Sequence, residues 1–530
     1  MSNCISYKDI PYYSALILDY LSENKKLKST YHRFPKLENF KAQFEEKSNN
    51  FSEAHREILA AALEKQYENF ESSKATAENI QLLKDQKTFT ITTGHQLNIF
   101  TGPLYFFYKI ISVINLTKEL KSAYPEYNFV PMYWLASEDH DFEEISFFNF
   151  KGEKYQWETD QKGAVGRFST KGLDKVFEEF KAALNSSDNA EYLRDLFEAA
   201  YLNHDNLTDA TRYLANRFFA EQGLVIIDGD DADLKTLFAP YVKTELLEQN
   251  MHQKVGETTA VLEKSGYDIQ VNPREINLFY LGENSRDRIV KNENRYFLNE
   301  TEKSFSEEEI LKNLETHPEK FSPNAIMRPL YQEVILPNLC YIGGSGELAY
   351  WLELKSYFES EQVTFPMLLM RNSALLMTEK QEEKLEKLDL SKGDLFLKQF
   401  ELLDKKTKSI SDIEIDFDPQ VKHLKKQFSD LYNLAKKTDK SFLGAVAAQE
   451  QKQINGLEYL EKRLLKAQKR VLEDKLKRTK ILQNELFPQG NLQERVLNFS
   501  EFYEIYGDEF LNVLQQELKP LELKFDVITL

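Results

Sequence analysis

The sequence predicts an α/β fold: a doubly wound, Rossmann-like parallel sheet core with inserted connecting segments and a long C-terminal helical coiled-coil arm. Three observations lead there. Short apolar, β-type runs alternate with helix-length patterns through residues 1–374, the signature of strands joined by helical crossovers. A polar loop follows each of the best-defined runs. Beyond about residue 375 no proline occurs between Pro419 and Pro488, and Lys, Glu, Gln and Leu dominate.

The elements follow in order. Residues up to about 87 are mostly helical in pattern and rich in Lys and Glu. Thr88-Phe89-Thr90-Ile91-Thr92 reads as a strand, 104–120 as a helix opened by Pro103, and Phe129-Val130-Pro131-Met132-Tyr133 as the next strand. A right-handed crossover makes the two strands parallel, so both following loops emerge at one sheet edge, where open α/β sheets bind ligands. Residues 192–221 read as a helix interrupted at 203–206 and ended by Gly223. Leu224-Val225-Ile226-Ile227 is a third strand leading into Asp228-Gly229-Asp230-Asp231, and Phe365-Pro366-Met367-Leu368-Leu369-Met370 another, leading into Arg371. Segments at about 150–220 and 235–330 read as insertions over the core. In the arm, 375–487, an a/d-like stripe runs from Val421 through Leu424, Phe428, Leu431, Ala435, Thr438 and Phe442 to Ala445, and a second from Leu457 to Val471. Asp474 and Arg478 break it, Gly444 and Gly456 are the expected bends, and Pro488-Gln489-Gly490 returns the chain, as 488–530, to the core. Either stripe alone fits a core face as well as an oligomer seam; two over such a length favour a homodimer.

Composition excludes several classes. The formal charge is −18, which repels nucleic acid and anionic membrane and offers no counterion-release drive. An anionic ligand would therefore need a local cluster of Arg, Lys and backbone N–H groups. The two cysteines, Cys4 and Cys340, lie far apart and outside any metal-ligand spacing, the usage of a reducing cytoplasm. The N-terminus lacks a basic and apolar leader pattern, and no run approaches the roughly 20 apolar residues of a membrane span.

Two stretches concentrate the chemistry: TGHQLNIFTGP at 93–103 and WLASEDHDFEE at 134–144. Thr93, Gly94 and Gly102 surround His95 and Gln96 where a strand turns into a helix, a place suited to an anion, with Thr101 or Gly102 as the expected cap. His95 can donate to phosphate or take a proton from an amine; the bland alternative is that His95 and Gln96 only satisfy loop backbone. Glu138, Asp139, His140 and Asp141 crowd three carboxylates round one imidazole, a source of shifted pKa values and acid–base groups, or a hold for Mg²⁺. An acidic run is ordinarily a solvated face, and Glu143 and Glu144 fit that, but the run at 138–141 follows buried-looking Met132-Tyr133-Trp134-Leu135-Ala136. Gly343-Gly344-Ser345-Gly346-Glu347 would let a ligand approach the backbone at Gly344, or be a plain tight turn. Arg274, Arg328 and Arg371 suit carboxylate or phosphate, although most arginines are structural. Tyr331 and Gln332 suit a sugar hydroxyl or a satisfied core. Lys109 is expected to be solvated, and Cys340 to be a small buried strand residue.

These blocks resemble the BshC family, enzymes proposed to add cysteine in the last step of bacillithiol biosynthesis. The resemblance rests on TGHQLNIFTGP, EDHDFEE, Gly266-Tyr267-Asp268-Ile269-Gln270-Val271, Arg328-Pro329-Leu330-Tyr331-Gln332, the Gly343 to Trp351 block and Gln493-Glu494-Arg495-Val496-Leu497-Asn498, and runs nearly end to end. The chain departs where Ser345 stands in a GGPGE pattern; serine still permits the turn. The resemblance implies a cytoplasmic, homodimeric ligase that joins the L-cysteine carboxyl to the amine of glucosaminyl-malate through an activated carboxyl, with ATP or another nucleotide as the activator. On that reading the hypothesis assigns His95, Gln96, Glu138, Asp139 and His140 to catalysis and Arg274, Arg328, Tyr331, Gln332, Gly344, Glu347 and Arg371 to substrate. Thr93, Gly94, Gly102 and Asn498 would serve the nucleotide. Two rival readings are an amino-sugar acyltransferase or hydrolase using another donor, and a dimeric scaffold with a vestigial core.

Overall fold

Five parallel strands form the central sheet, four of them largely apolar and β1 rich in buried, β-branched threonine: β1 (Thr88–His95), β2 (Asn128–Leu135), β3 (Val225–Asp228), β4 (Asn338–Gly343) and β5 (Met367–Met370). The computed structural model describes residues 3–299, 301 and 303–530. The spatial order is β5-β4-β1-β2-β3, every neighbouring pair being parallel. From β1 the chain winds outward through β2 to β3, then returns to the other side of β1 with β4 and β5. The order therefore reverses between β1 and β4, the position where doubly wound sheets open a crevice at their carboxyl ends.

Helix α1 (Tyr105–Ala123) makes the β1–β2 crossover and buries Phe106, Phe107, Ile110, Ile111 and Ile114. It starts without the cap expected from Thr101 or Gly102. Phe100, Thr101 and Gly102 instead take positive φ (48°, 66° and 62°), and a Cβ on Gly102 would meet Asn98 Cβ at 2.6 Å. Asn498 Nδ2 clasps this turn, donating to the carbonyls of Phe100 (2.7 Å) and Gly102 (2.6 Å), while Leu104 N–H bonds the Leu497 carbonyl at 2.8 Å.

The 192–221 segment forms two helices, Asp188–Tyr201 and Leu207–Phe219, divided where Asn206 caps the second by accepting from Asp209 N–H. After β3 come α2 (Ala232–Glu248), a further helix Asn250–Lys264, and a five-stranded antiparallel sheet running from Leu278–Leu281 to Phe321–Pro323. Helix α3 (Arg328–Ile335) leads into β4, and α4 (Ser345–Trp351) follows it. The C-terminal strand Phe525–Thr529 pairs with Asn3–Ile5 and Ser373–Met377.

The arm consists of α5 (Gln399–Ile410), α6 (Asp418–Ala435), α7 (Lys440–Val471) and α8 (Glu473–Leu486). Two expectations are corrected here. The stripe 421–445 is not one helix: the chain turns at 436–439, where Asp439 caps α7, and α6 packs back on α7 around Phe428, Ala435 and Val446. Nor does the chain leave the helix at the expected bends, Gly444 and Gly456: α7 runs through both. Both have open space where a Cβ would be, and a glycine in an exposed helix costs only about 1 kcal/mol against alanine, too little to break 32 residues. Among the described residues no helix is long and apolar enough to cross a membrane.

Candidate active site

The crevice at the β1/β4 switch point is a cavity of about 790 Å³. Its floor comes from the strand ends: Gly94 and His95 from β1, Trp134 and Leu135 from β2, Tyr341 and the Gly344–Glu347 turn after β4. One wall is the loop after β2, with Glu138, Asp139 and His140; the facing wall comes from the insertion, with Arg274, Phe279, Arg286 and Arg288. Seven cations (Lys109, Arg274, Arg286, Arg288, Arg328, Arg371, Arg495) line it against three carboxylates (Glu138, Asp139, Glu347). This is the local positive cluster that an anionic ligand requires in a chain of net charge −18.

The floor is held by buried charge bonded within the protein. Lys109, expected in solvent, is buried because α1 carries it under β1; it donates to the Gly94 carbonyl (2.7 Å) and pairs with Glu347 (2.6 Å). Glu347 also accepts from Tyr341 Oη (2.6 Å) and Gly344 N–H (2.8 Å). Burial pushes that carboxyl up, but Lys109 and these donors outweigh it and keep it ionised. Arg371 donates to Glu494 at 2.7 Å, both side chains being buried, and lies over the Tyr105 ring. Arg328 donates to Gln332 Oε1 at 3.0 Å and sits over Trp134 and Tyr341.

His95 packs edge-on against Tyr105 and tilted against Phe106. Burial, then the Lys109 charge, lowers its pKa to about 3, so the ring is neutral at working pH. The Thr101 backbone, an acceptor beside the ring, opposes that shift, and Nε2 is buried without a partner. Opposite, Gln96 Nε2 donates to Asp139 Oδ2 and to Glu144 Oε2, each at 2.9 Å. Burial raises the Asp139 pKa, but the hydrogen bonds from Gln96 Nε2 and the His140 backbone N–H, with the nearby Arg286 charge, hold it well below the usual range. Glu138 goes the other way: burial raises its pKa, opposed by the ion pair with Lys235 of α2. Lys235 is anchored in turn on the Phe321 carbonyl at 2.6 Å. Among the described residues no three His, Cys, Asp or Glu side chains gather for a metal ion.

Both halves of the chain match a known family. Residues 1–372 match "Bacillithiol biosynthesis BshC, N-terminal Rossmann-like domain", and residues 374–530 match "Bacillithiol biosynthesis BshC, C-terminal coiled-coil domain". The chain belongs to the BshC family. It is 59% identical over 529 residues to a protein of Flavobacterium johnsoniae named "Putative cysteine ligase BshC", covering 100% of both chains. Relatives of the same name in Christiangramia forsetii and Cytophaga hutchinsonii are 57% and 37% identical, over 100% and 97% of this chain and 99% and 96% of theirs. Cysteine ligase is thus the activity class these relatives are named for, and bacillithiol biosynthesis the process named in the family description.

Within this BshC cavity the sequence-predicted residues divide. His95, Gln96, Glu138, Asp139, His140, Gly94, Arg274, Arg328, Gly344, Glu347 and Arg371 all line it. Thr93, Gly102, Tyr331, Gln332 and Asn498 do not, because their polar groups are taken up by the fold. Thr93 Oγ1 donates to the Ile342 carbonyl (2.7 Å), joining β1 to β4, and Tyr331 Oη to the Gly229 carbonyl (2.7 Å). Gln332 bridges Arg328 and Glu333; Gly102 and Asn498 belong to the turn before α1. Sequence reasoning missed Lys109 as a buried group, and Lys235, Arg286 and Arg288 altogether; Arg495 it held only as part of the 493–498 block. The one available signal was Arg286-Asp287-Arg288, whose alternation in a strand puts both arginines on one face.

Proposed function

We propose that this cavity joins the carboxyl of L-cysteine to the amine of glucosaminyl-malate, the carboxyl first being activated by ATP or another nucleotide. The observation that carries the reading is the cation-lined cavity at the switch point, holding a neutral, unpartnered His95 Nε2 on its floor. Arg274 and Arg288, which make no ion pair among the described residues, suit the malate carboxylates. His95 Nε2 accepts from the attacking amine. As the amine nitrogen bonds the cysteine carbonyl carbon, the activating group leaves with its oxygen and the amine proton passes to Glu138, whose raised pKa suits it to receive one. Any Mg²⁺ would arrive with the nucleotide phosphates, since Glu138 is already engaged by Lys235. The arm leaves Leu431, Leu434, Phe442, Tyr459, Leu460 and Val471 exposed, an apolar surface suited to a second copy of the chain.

The test is mass spectrometry of purified protein incubated with cysteine and glucosaminyl-malate, with and without ATP and Mg²⁺. Bacillithiol formed only with nucleotide supports the activating ligase. Product formed without it replaces nucleotide activation by another acyl donor, and absence of both product and substrate binding overturns the reading.

A further inference from the structure

Arg286 enters the cavity from the antiparallel sheet and touches His140: its Nη1 lies 2.8 Å from His140 Nδ1. A guanidinium is always protonated and has no acceptor, so Nδ1 must receive this hydrogen bond through its lone pair. The ring proton is then on Nε2. Nothing else nearby reverses this. Asp139 Oδ1 is 3.7 Å from the same Nδ1, beyond hydrogen-bond range, and already accepts from the His140 backbone N–H at 2.7 Å. Glu138 is engaged by Lys235. Arg286 itself cannot swing away cheaply: Nη2 donates to the Pro323 carbonyl (3.0 Å), Nη2 and Nε reach Ser322 Oγ (3.3 Å each), and the guanidinium lies 4.0 Å over the Phe279 ring. Phe279 also packs on the His140 ring. His95 has the opposite arrangement. Its Nε2 is buried without a partner, which leaves Nδ1 as the nitrogen facing the Thr101 backbone acceptor.

We propose that Arg286 is a positioning residue that fixes His140 as a hydrogen-bond donor through Nε2–H, so that the two cavity histidines offer opposite chemistry: acceptor at His95, donor at His140. The inference rests on reading this cavity as the reaction site. It deepens that reading by assigning the bond-accepting role toward the amine to His95, and to His140 a donor for a ligand oxygen such as the acyl carbonyl.

The test is a long-range ¹H–¹⁵N correlation spectrum of the full-length protein labelled with [¹⁵N]histidine, at neutral pH, with peaks assigned by loss in His95→Gln and His140→Gln. The expected result is a protonated Nε2 and bare Nδ1 for His140, and the reverse for His95. Arg286→Met should average the two His140 nitrogens, leave the His95 pattern unchanged and lower kcat about tenfold or more; Arg286→Lys, which restores a donor, should recover part of both. A His140 protonated on Nδ1 or on both nitrogens in the wild-type protein overturns the proposal, as does a His140 tautomer unchanged in Arg286→Met. Should Arg286→Met fail to fold, the wild-type spectrum still decides. The spectrum needs no turnover, so failure to detect ligase activity and failure of this proposal are separate results.

Discussion

The floor and the insertion wall of the cavity carry similar charges used in opposite ways. On the floor each cation is tied into the protein: Lys109 to Glu347 and Gly94, Arg371 to Glu494, Arg328 to Gln332. On the wall, Arg286 is likewise tied, to Ser322 and Pro323, but Arg274 and Arg288 make no ion pair among the described residues. A buried, paired charge is architecture, since removing its partner strands the other in low dielectric. A charge left unpaired beside a cavity is free to meet a ligand. The difference separates residues that shape the site from those that read what enters it, although all are Arg or Lys in sequence.

The sharpest way to break this comparison is to cut a floor pair. Arg371→Met leaves Glu494 buried and unpaired, although Ala374 N–H still donates to it at 3.2 Å, and should destabilise the protein by about 3–5 kcal/mol. Lys235→Met, stranding Glu138, should fall in the same range. Urea or thermal denaturation reads both, and a midpoint within error of wild type in either would remove the architectural role. His95→Gln tests the exception on the floor, a buried group facing a ligand. It should lower kcat about 100-fold with little change in melting temperature; unfolding in step with the activity loss would make His95 a packing residue.

A third group joins floor to wall. Glu353, buried behind the cavity, accepts from Gln270 N–H at 2.8 Å and so holds the loop that carries Val271 and Arg274. Burial raises its pKa to about 7, against the backbone donors of Gln270 and Val271. Because the folded-state value lies above the unfolded one, its contribution is fullest below the ordinary glutamate range and is lost as pH rises through about 7. Stability should thus decline by about 1–3 kcal/mol between pH values near 5 and 8 on this account. In Glu353→Gln that part of the slope should vanish, and an unchanged slope in parallel denaturation series would dismiss the group.

How much of this was legible depended on whether a residue's neighbours were local. Four of the five strands were readable as short β-branched or apolar runs, β4 showing only as Cys340-Tyr341-Ile342 before the glycines, and His95 with Asp139 because each lies directly behind such a run. The arm was legible as helix, but not its turn: the stripe continues in phase across 436–439, and only Asp439, an ordinary cap residue, marks the break. Lys109 looked like any helix-surface lysine, since its burial comes from Glu347, 238 positions away. Tyr331 and Asn498 have the chemistry of ligand contacts, yet their partners, Gly229 and Gly102, lie across the fold. Local pattern reports the element; the distant partner decides whether a polar group serves the ligand or the scaffold.

The gentlest test acts on the wall. Arg274 is exposed, on a loop whose backbone is fixed by Asn277: Asn277 Oδ1 accepts from Arg274 N–H at 3.0 Å, and Asn277 Nδ2 donates to the Arg274 carbonyl at 2.8 Å. These bonds involve no atom of the guanidinium, so Arg274→Ala should leave both loop and melting temperature unchanged. What it removes is one cation for an incoming anion, a charged hydrogen bond of roughly 1.5 kcal/mol. KM for the anionic substrate should rise about tenfold with kcat nearly constant, because a malate carboxylate takes no part in the bond being made. The effect should shrink as salt screens the exposed charge. A fall in kcat with KM unchanged would move Arg274 from the wall's reading function to the chemistry on the floor, and would erase the distinction between the two.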